Sequence, residues 1–155
     1  MSVKSFDSQF PHLAHTEKCQ MILSVEGRIS TFDLIDSYCQ KPECDCSKVS
    51  LAIIGQDKNT YATIAYGWKE PSFYRKWGFD KEATKLLKKG FLDPFCKQSK
   101  FSDVFLEPFS MMIKDPNFIE RLDNRYTMFK KVISADQPPS SEFNNVIPLK
   151  ARQRG

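Results

Sequence analysis

The stretch KCQMILSVEGRISTFDLIDSY, residues 18–38, contains two runs in which apolar and polar side chains alternate. The apolar positions of the first run are Met21, Leu23 and Val25, and those of the second run are Phe32, Leu34 and Tyr38. Alternation with a period of two is typical of a strand that has one buried face. Residues 26–30, EGRIS, lie between the runs and indicate a turn. The stretch therefore predicts an antiparallel hairpin.

The register of this hairpin should follow the match between its two apolar faces, because a slip by one residue would turn every apolar side chain to the solvent. Pairing Leu23 with Phe32 and Met21 with Leu34 makes the two faces coincide. We therefore expect that register.

Two further strand-like runs follow, KVSLAII at residues 48–54 and TYATIAYGW at residues 60–68. The segment GQDKN between them consists of residues that are typical of turns. The four runs together predict a four-stranded antiparallel meander.

Helical spacing replaces the alternating pattern after Trp68, and the predicted helices cover residues 71–77, 81–89, 102–114 and 116–133. Asp80 and Asp115 suit the capping positions before the second and fourth helices, because a carboxylate there accepts bonds from unpaired backbone amides. Pro71 and Pro116 suit the first position of a helix, where the missing amide hydrogen costs nothing.

Pro108 lies inside the third predicted helix. It lacks the amide hydrogen that would reach the carbonyl of Val104, so this helix should kink there or restart at Glu107.

The change of period near residue 70 predicts an α+β domain over residues 1–133, with a strand-rich first half and a helical second half. From residue 134, the segment SADQPPSSEFNN contains Pro and Ser without a periodic apolar pattern. We expect residues 134–155 to be a linker or a mobile basic tail.

Three of the five cysteines lie close together in YCQKPECDC, residues 38–46, with the spacing C-x4-C-x-C at Cys39, Cys44 and Cys46. Thiolates bind Zn²⁺ at about 2.3 Å, usually in a tetrahedral set of Cys and His ligands. The loop predicts one structural zinc ion bound by these three cysteines. The alternatives are three free or buried thiols and redox catalysis, although the C-x-x-C spacing of disulfide oxidoreductases is absent.

A fourth ligand is not obvious from the spacing, and the candidates are His12, His15, Cys19 and Cys96. In the expected register Cys19 shares the inward face of its strand, which favours a role in the core. We expect Cys96 to serve in packing, because it lies in the helical half. His15 lies just beyond the strand end that should sit beside Cys39, and otherwise a water or another chain would complete the site.

The composition is that of an ordinary globular protein, with 41% apolar and 27% charged residues and thirteen Phe that predict an aromatic core. No run of about 18 apolar residues could span a membrane, and the N-terminus lacks the apolar segment of a secretory signal. The total of five cysteines is odd, and three of them are clustered, which favours a metal site over a set of disulfides. Such sites are typical of a reducing compartment, so we expect a cytoplasmic protein. The net charge of +4 permits an acidic partner without requiring one.

The segment YGWKEPSFYRKWGF, residues 66–79, contains six aromatic residues. Five of them could bind a peptide or stack on a base, with Arg75 and Lys76 alongside: Trp68, Phe73, Tyr74, Trp77 and Phe79. The alternative is a strand-to-helix corner whose rings fill the core.

The segments DSYCQKPECDC, ATIAYGW, PSFYRKWG, LDPF and NFIERLDNRYTMFK together resemble a group of largely uncharacterised bacterial proteins. Those proteins carry a YC-x-x-P-x-CDC box, a YGW-x-x-P-x-FY-x-KWG box and a helical C-terminal half. A SEC-C motif, the small zinc-binding motif at the end of the SecA translocase, often follows in them, but its usual opening run Gly-Arg-Asn-Asp-Pro-Cys-Pro-Cys is not found here. The resemblance covers roughly residues 31–131 and implies a metal site without implying a reaction.

Three functions are compatible with these patterns. The first is a zinc-binding structural or adaptor module that contacts a protein partner. The second is a nucleic-acid-binding module that uses the basic tail and the aromatic segment. The third is a metal-dependent enzyme whose three-cysteine zinc site keeps an open position for water, with Asp36, Glu43 or Asp45 as general base. We favour the adaptor, because no nucleophile–base pair or phosphate-binding glycine loop is recognisable.

Overall fold

A computed structural model describes residues 2–13 and 18–136. The strands in these residues are β1 (Val3–Ser5), β2 (Gln20–Val25), β3 (Arg28–Cys39), β4 (Lys48–Ile54), β5 (Thr60–Gly67) and β6 (Phe91–Leu92). The helices are α1 (Phe6–Gln9), α2 (Pro71–Lys76), α3 (Lys81–Lys89), α4 (Leu106–Met112) and α5 (Pro116–Asp136), with short 3₁₀ turns at Pro11–Leu13 and Ser102–Phe105.

The sheet is antiparallel throughout, in the order β1-β3-β4-β5-β6, and β2 also pairs with β3. The predicted α+β class is confirmed, and strands β2 to β5 form the predicted meander. The predicted number of four strands is too low, because the described residues contain six. The two additional strands, β1 and β6, contain three and two residues, which is too short to display an alternating pattern.

The register of the first hairpin differs from the prediction by two residues. Met21 pairs with Phe32 and Leu23 pairs with Ser30. The turn contains only Glu26 and Gly27, which both have positive φ, at 53° and 77°. Two-residue loops with positive φ at both positions match the twist of a hairpin. A shift by two residues keeps every side chain on its predicted face, so the turn geometry decides between two registers that the apolar pattern cannot separate.

The helical half covers one face of this sheet with aromatic side chains. Buried rings from the helical segments include Phe105, Phe109, Phe118, Tyr126 and Phe129, and they meet sheet residues that include Phe32, Tyr38 and Tyr66. Many of these ring pairs are tilted or edge-to-face, which is the preferred arrangement of aromatic side chains. The predicted aromatic core is therefore confirmed.

The predicted helix boundaries hold closely. The carboxylate of Asp80 accepts a bond from the amide of Ala83 at 2.8 Å, and α3 ends before Gly90, whose φ is +90°. Ahead of Pro108 a 3₁₀ turn precedes α4, so the chain restarts at Leu106, one residue before the predicted position.

Helix α5 begins at Pro116 as predicted and continues to Asp136, three residues beyond the expected end at residue 133. The other residues of the predicted linker or tail, 137–155, lie outside the described residues. In the described part of the chain, no helix combines the length and the apolar character needed to cross a membrane.

Candidate metal centre

The three clustered cysteines come together in space. Cys39 is the last residue of β3, and Cys44 and Cys46 lie in the loop that leads to β4. Their sulfur atoms all lie within 4.8 Å of one another. Three sulfurs bound to one tetrahedral zinc ion at about 2.3 Å would be about 3.8 Å apart. The cluster could therefore hold a metal ion if the sulfur atoms moved slightly closer together.

Local turns bring the sulfurs to one point. The amide of Cys44 donates to the carbonyl of Lys41 at 3.1 Å, which closes a turn around Pro42. Beyond Cys46 the chain reverses into β4 through Ser47, which is buried and has a φ of +47°. A positive φ at a residue other than glycine is strained, so surrounding contacts must hold it in place.

Two tyrosine hydroxyl groups hold Ser47 in that conformation. The hydroxyl of Tyr126, in α5, accepts a bond from the amide of Ser47 at 3.1 Å and donates to the carboxylate of Asp45 at 2.9 Å. The hydroxyl of Tyr74, in α2, donates to the carbonyl of Ser47 at 2.7 Å. Gly67 makes room for Tyr74, because a Cβ at this glycine would lie 2.5 Å from the tyrosine oxygen.

A lysine from α5 holds the other side of the loop. The ammonium of Lys130 donates to the carbonyl of Cys39 at 2.9 Å and to that of Lys41 at 2.6 Å. The N-terminal strand closes the edge, where the side chain of Gln40 donates to the carbonyl of Val3 at 3.3 Å. The loop is therefore held by β1, α2 and α5 together.

The surroundings of Cys46 disfavour a free thiolate at this residue. Burial and the neighbouring sulfurs of Cys44 and Cys39 raise the pKa of Cys46 to about 11, although Lys48 acts in the opposite direction. A reactive cysteine needs a lowered pKa, so Cys46 is poorly suited to redox catalysis. A bound divalent cation would replace the protons and offset the repulsion between thiolates.

Among the described residues, the only side chains in the possible metal-binding group are those of Cys39, Cys44 and Cys46. None of the described candidates for a fourth ligand joins them. The ring of His12 packs edge-on against Phe10, at a centroid distance of 6.3 Å. Cys19 packs against the core, as the inward face predicted. Cys96 is exposed, so the expectation that it serves in packing is wrong. His15 lies outside the described residues.

The candidate general bases have other surroundings. Asp36 lies on the core face of β3, where Arg125 donates to its two oxygens at 2.7 and 3.0 Å and Tyr38 donates at 2.6 Å. Asp45 accepts bonds from Tyr126 and Ser47. Asp36 therefore does not face the cysteines, and the assignment of Asp36 as a base beside the metal is wrong.

A groove of about 490 Å³ opens beside the cluster, on the face of the sheet opposite to α5. Cys39 and Cys46 form part of its wall. Most of the remaining lining is apolar and includes Val3, Phe79, Phe91 and Phe95. The side chain of Phe95 is 96% exposed, which is unusual for an aromatic ring.

The aromatic segment divides between core and surface. Tyr74 is completely buried, and Trp68 is half-buried, with its indole nitrogen donating to Asp123 at 3.0 Å. Phe73 is also half-buried, and Trp77 is 48% exposed. The segment is therefore mainly a packed corner that leaves one Trp at the surface.

Tyr126, Tyr74 and Lys130 are the important residues that the sequence did not identify as part of the site. Tyr126 appears in the sequence only as a member of an apolar helical stripe, and nothing in that pattern reveals where its hydroxyl points. The sequence did contain evidence that Asp36 is buried and paired, because it lies between Leu34 and Tyr38 on the inward face of its strand. A buried carboxylate requires a partner.

Replacing Tyr126 with phenylalanine tests the support that the loop receives from α5. The variant should lose about 1–3 kcal/mol of stability, because the buried amide of Ser47 is left without a partner. Its zinc affinity should fall by about 10- to 100-fold, as is typical when groups that orient metal ligands are removed. Tyr66→Phe is the control, since the Tyr66 hydroxyl has no hydrogen-bond partner in the described residues. Equal zinc affinity in Tyr126→Phe and Tyr66→Phe would contradict this role.

In comparisons of sequence and of structure, the chain matches no family model, no curated protein and no solved structure.

Proposed function

We propose that this protein is a zinc-stabilised binding module that contacts a protein partner and catalyses no reaction by itself. The observation that carries the proposal is the convergence of the Cys39, Cys44 and Cys46 sulfurs within 4.8 Å of one another. A zinc ion at this point would connect the end of β3 to the start of β4, in the loop that also contacts β1, α2 and α5.

A structural role for the metal fits the surroundings of the cluster better than a catalytic role. Asp45 is engaged by Tyr126 and Ser47, and Asp36 is paired with Arg125 on the other face of the sheet. Of the three acids considered as bases, Glu43 alone is left, on the exposed surface of the loop. A reducing, cytoplasmic location belongs to the proposal, because thiols available to a metal must not be oxidised.

The apolar groove beside the cluster is the contact surface that we propose for the partner. It carries Phe95 and Val3, which are 96% and 45% exposed, and its lining is mostly apolar. Aromatic side chains are common anchors in protein interfaces. We therefore infer that the occupant is a protein segment with apolar side chains.

Affinity capture with matched variants tests this proposal. The zinc-loaded protein and Phe95→Asp serve as baits, and Met111→Asp is the control because Met111 is a 61% exposed apolar residue on α4. Quantitative mass spectrometry should find a protein that the wild type and Met111→Asp retain and Phe95→Asp loses. The proposal fails if no captured protein depends on Phe95. Zinc-dependent turnover that Cys44→Ser removes without unfolding the domain would favour the enzyme instead.

A further inference from the structure

A basic groove lies between helices α2 and α3, away from the cysteines. Its lining consists of Pro71, Arg75, Lys81, Thr84, Lys85, Lys88 and Lys89, and its volume is about 490 Å³. Five of these seven residues are cations. In the described part of the chain, the charged side-chain groups of these five residues form no hydrogen bond or ion pair with another protein group, although the backbone carbonyl of Arg75 accepts a bond from the amide of Gly78 at 3.1 Å.

The cations of α3 occur with helical spacing. Lys81, Lys85 and Lys88 are separated by four and three residues, which places them on one face of the helix. The interval from Lys81 to Lys88 spans about 10.5 Å along the axis. Arg75 lies across the groove on α2, so both walls are formed by cationic residues. The wall surface itself is mostly the aliphatic stems of these residues, which leaves the charged ends at the rim of the groove.

A buried polar group lies in the same groove. Thr84 is 4% exposed, and its hydroxyl oxygen is the buried side-chain atom without a hydrogen-bond partner in the described residues. Leaving a buried hydroxyl unpaired is costly. This oxygen is closed to solvent, so a ligand oxygen would reach it only if neighbouring side chains moved. Burial lowers the pKa of Lys88, against the opposing effect of Glu70, so a bound anion would also favour the charged form of this lysine.

The acidic groups of α2, α3 and the turn between them neutralise the groove only in part, because Glu70 acts on Lys88. Asp80 is occupied as the cap of α3, where it accepts the amide of Ala83. Glu70 and Glu82 are exposed, and neither forms a close ion pair with the groove cations in the described residues, although Glu70 is near enough to favour the charged form of Lys88. Trp77 is 48% exposed in the turn that joins the two helices, directly after the end of α2 and four residues before the start of α3.

We propose that the groove between α2 and α3 binds single-stranded nucleic acid, with its cations on phosphates and Trp77 stacked on a base. Proteins that bind single strands combine a basic groove with exposed aromatic rings. The nine-residue length of α3 favours a single strand, because it gives a positive wall of only about 13 Å. An acidic protein segment would use the cations but would leave the Trp77 ring without a flat partner.

Fluorescence anisotropy with a labelled 20-nucleotide oligouridylate tests this inference on the zinc-loaded chain. The groove variant is Lys81→Gln/Lys85→Gln/Lys88→Gln, and the charge-matched control is Lys58→Gln/Lys97→Gln/Lys114→Gln, whose three lysines are exposed elsewhere. We expect the wild type to bind with a strong salt dependence. The groove variant should bind at least about tenfold more weakly at low salt, and its log–log salt slope should be shallower by about two. The control should change affinity by less than about twofold.

Trp77→Leu provides an independent readout of stacking. It should weaken binding by about tenfold and leave the salt slope unchanged, because it removes a ring and no charge. The inference is wrong if the oligonucleotide does not bind saturably, or if both lysine variants weaken binding equally. Polyglutamate that binds the groove as tightly as the oligonucleotide would also overturn it in favour of an acidic protein partner.

Discussion

Replacing Cys44 with serine should abolish metal binding and lower the free energy of unfolding. If zinc binds the folded state and not the unfolded state, the intact site adds about 4 kcal/mol to the free energy of unfolding when the free zinc concentration is 1,000 times the dissociation constant. A serine hydroxyl is a poor zinc ligand, and two remaining sulfurs cannot hold the ion as three do. Denaturant unfolding followed by Trp fluorescence, with and without a chelator, measures this loss.

The control for this prediction is Cys96→Ser. Cys96 lines the groove next to the cluster and is exposed, yet it is not one of the three grouped sulfurs. This variant should keep the zinc content and the chelator sensitivity of the wild type. If Cys44→Ser keeps its metal, or if a chelator lowers the stability of Cys44→Ser as much as that of the wild type, then Cys44 is not a ligand.

Replacing Arg125 with methionine should destabilise the protein by about 3–5 kcal/mol, because it leaves Asp36 as an unpaired charge in the core. The guanidinium of Arg125 donates to both oxygens of Asp36 and lies 3.7 Å from the ring centroid of Phe6 in α1. Both charged residues are 5% exposed. The loss should appear in chemical unfolding at neutral pH.

A double variant and a surface control separate this effect from lost packing. Asp36→Leu/Arg125→Met should cost less than Arg125→Met alone, because no buried charge remains. Lys69→Met should cost less than about 1 kcal/mol, since its ion pair with Asp123 is long, at 3.9 Å, and almost half exposed. A double variant as unstable as Arg125→Met would show that side-chain packing, and not the charge of Asp36, causes the loss.

The sequence predicted those parts of the fold that depend on local patterns. The faces of β2 and β3 follow from alternation at Met21 and Phe32, and the start of α5 follows from Asp115 and Pro116. The register required the conformation of Glu26 and Gly27, because apolar faces match equally well after a shift by two residues.

Contacts between distant residues could not be predicted in this way. The convergence of the cysteines could be predicted, because they are close together in the sequence. The bonds from Tyr74 and Tyr126 to Ser47 could not, because they join residues that are 27 and 79 positions apart. The basic groove was also missed, because Arg75 and Lys88 lie on separate helices whose relative placement the periodicity does not specify.

The decisive measurement for the proposed metal site is the zinc content of the untagged protein, purified without a metal-chelating column. Elemental analysis combined with the protein concentration gives the number of metal ions per chain, and circular dichroism on the same sample confirms that the domain is folded. We expect about one zinc per chain, released when a chelator is added to unfolded protein. A value near zero for a folded sample would contradict this expectation, and Cys39, Cys44 and Cys46 would then be three packed thiols.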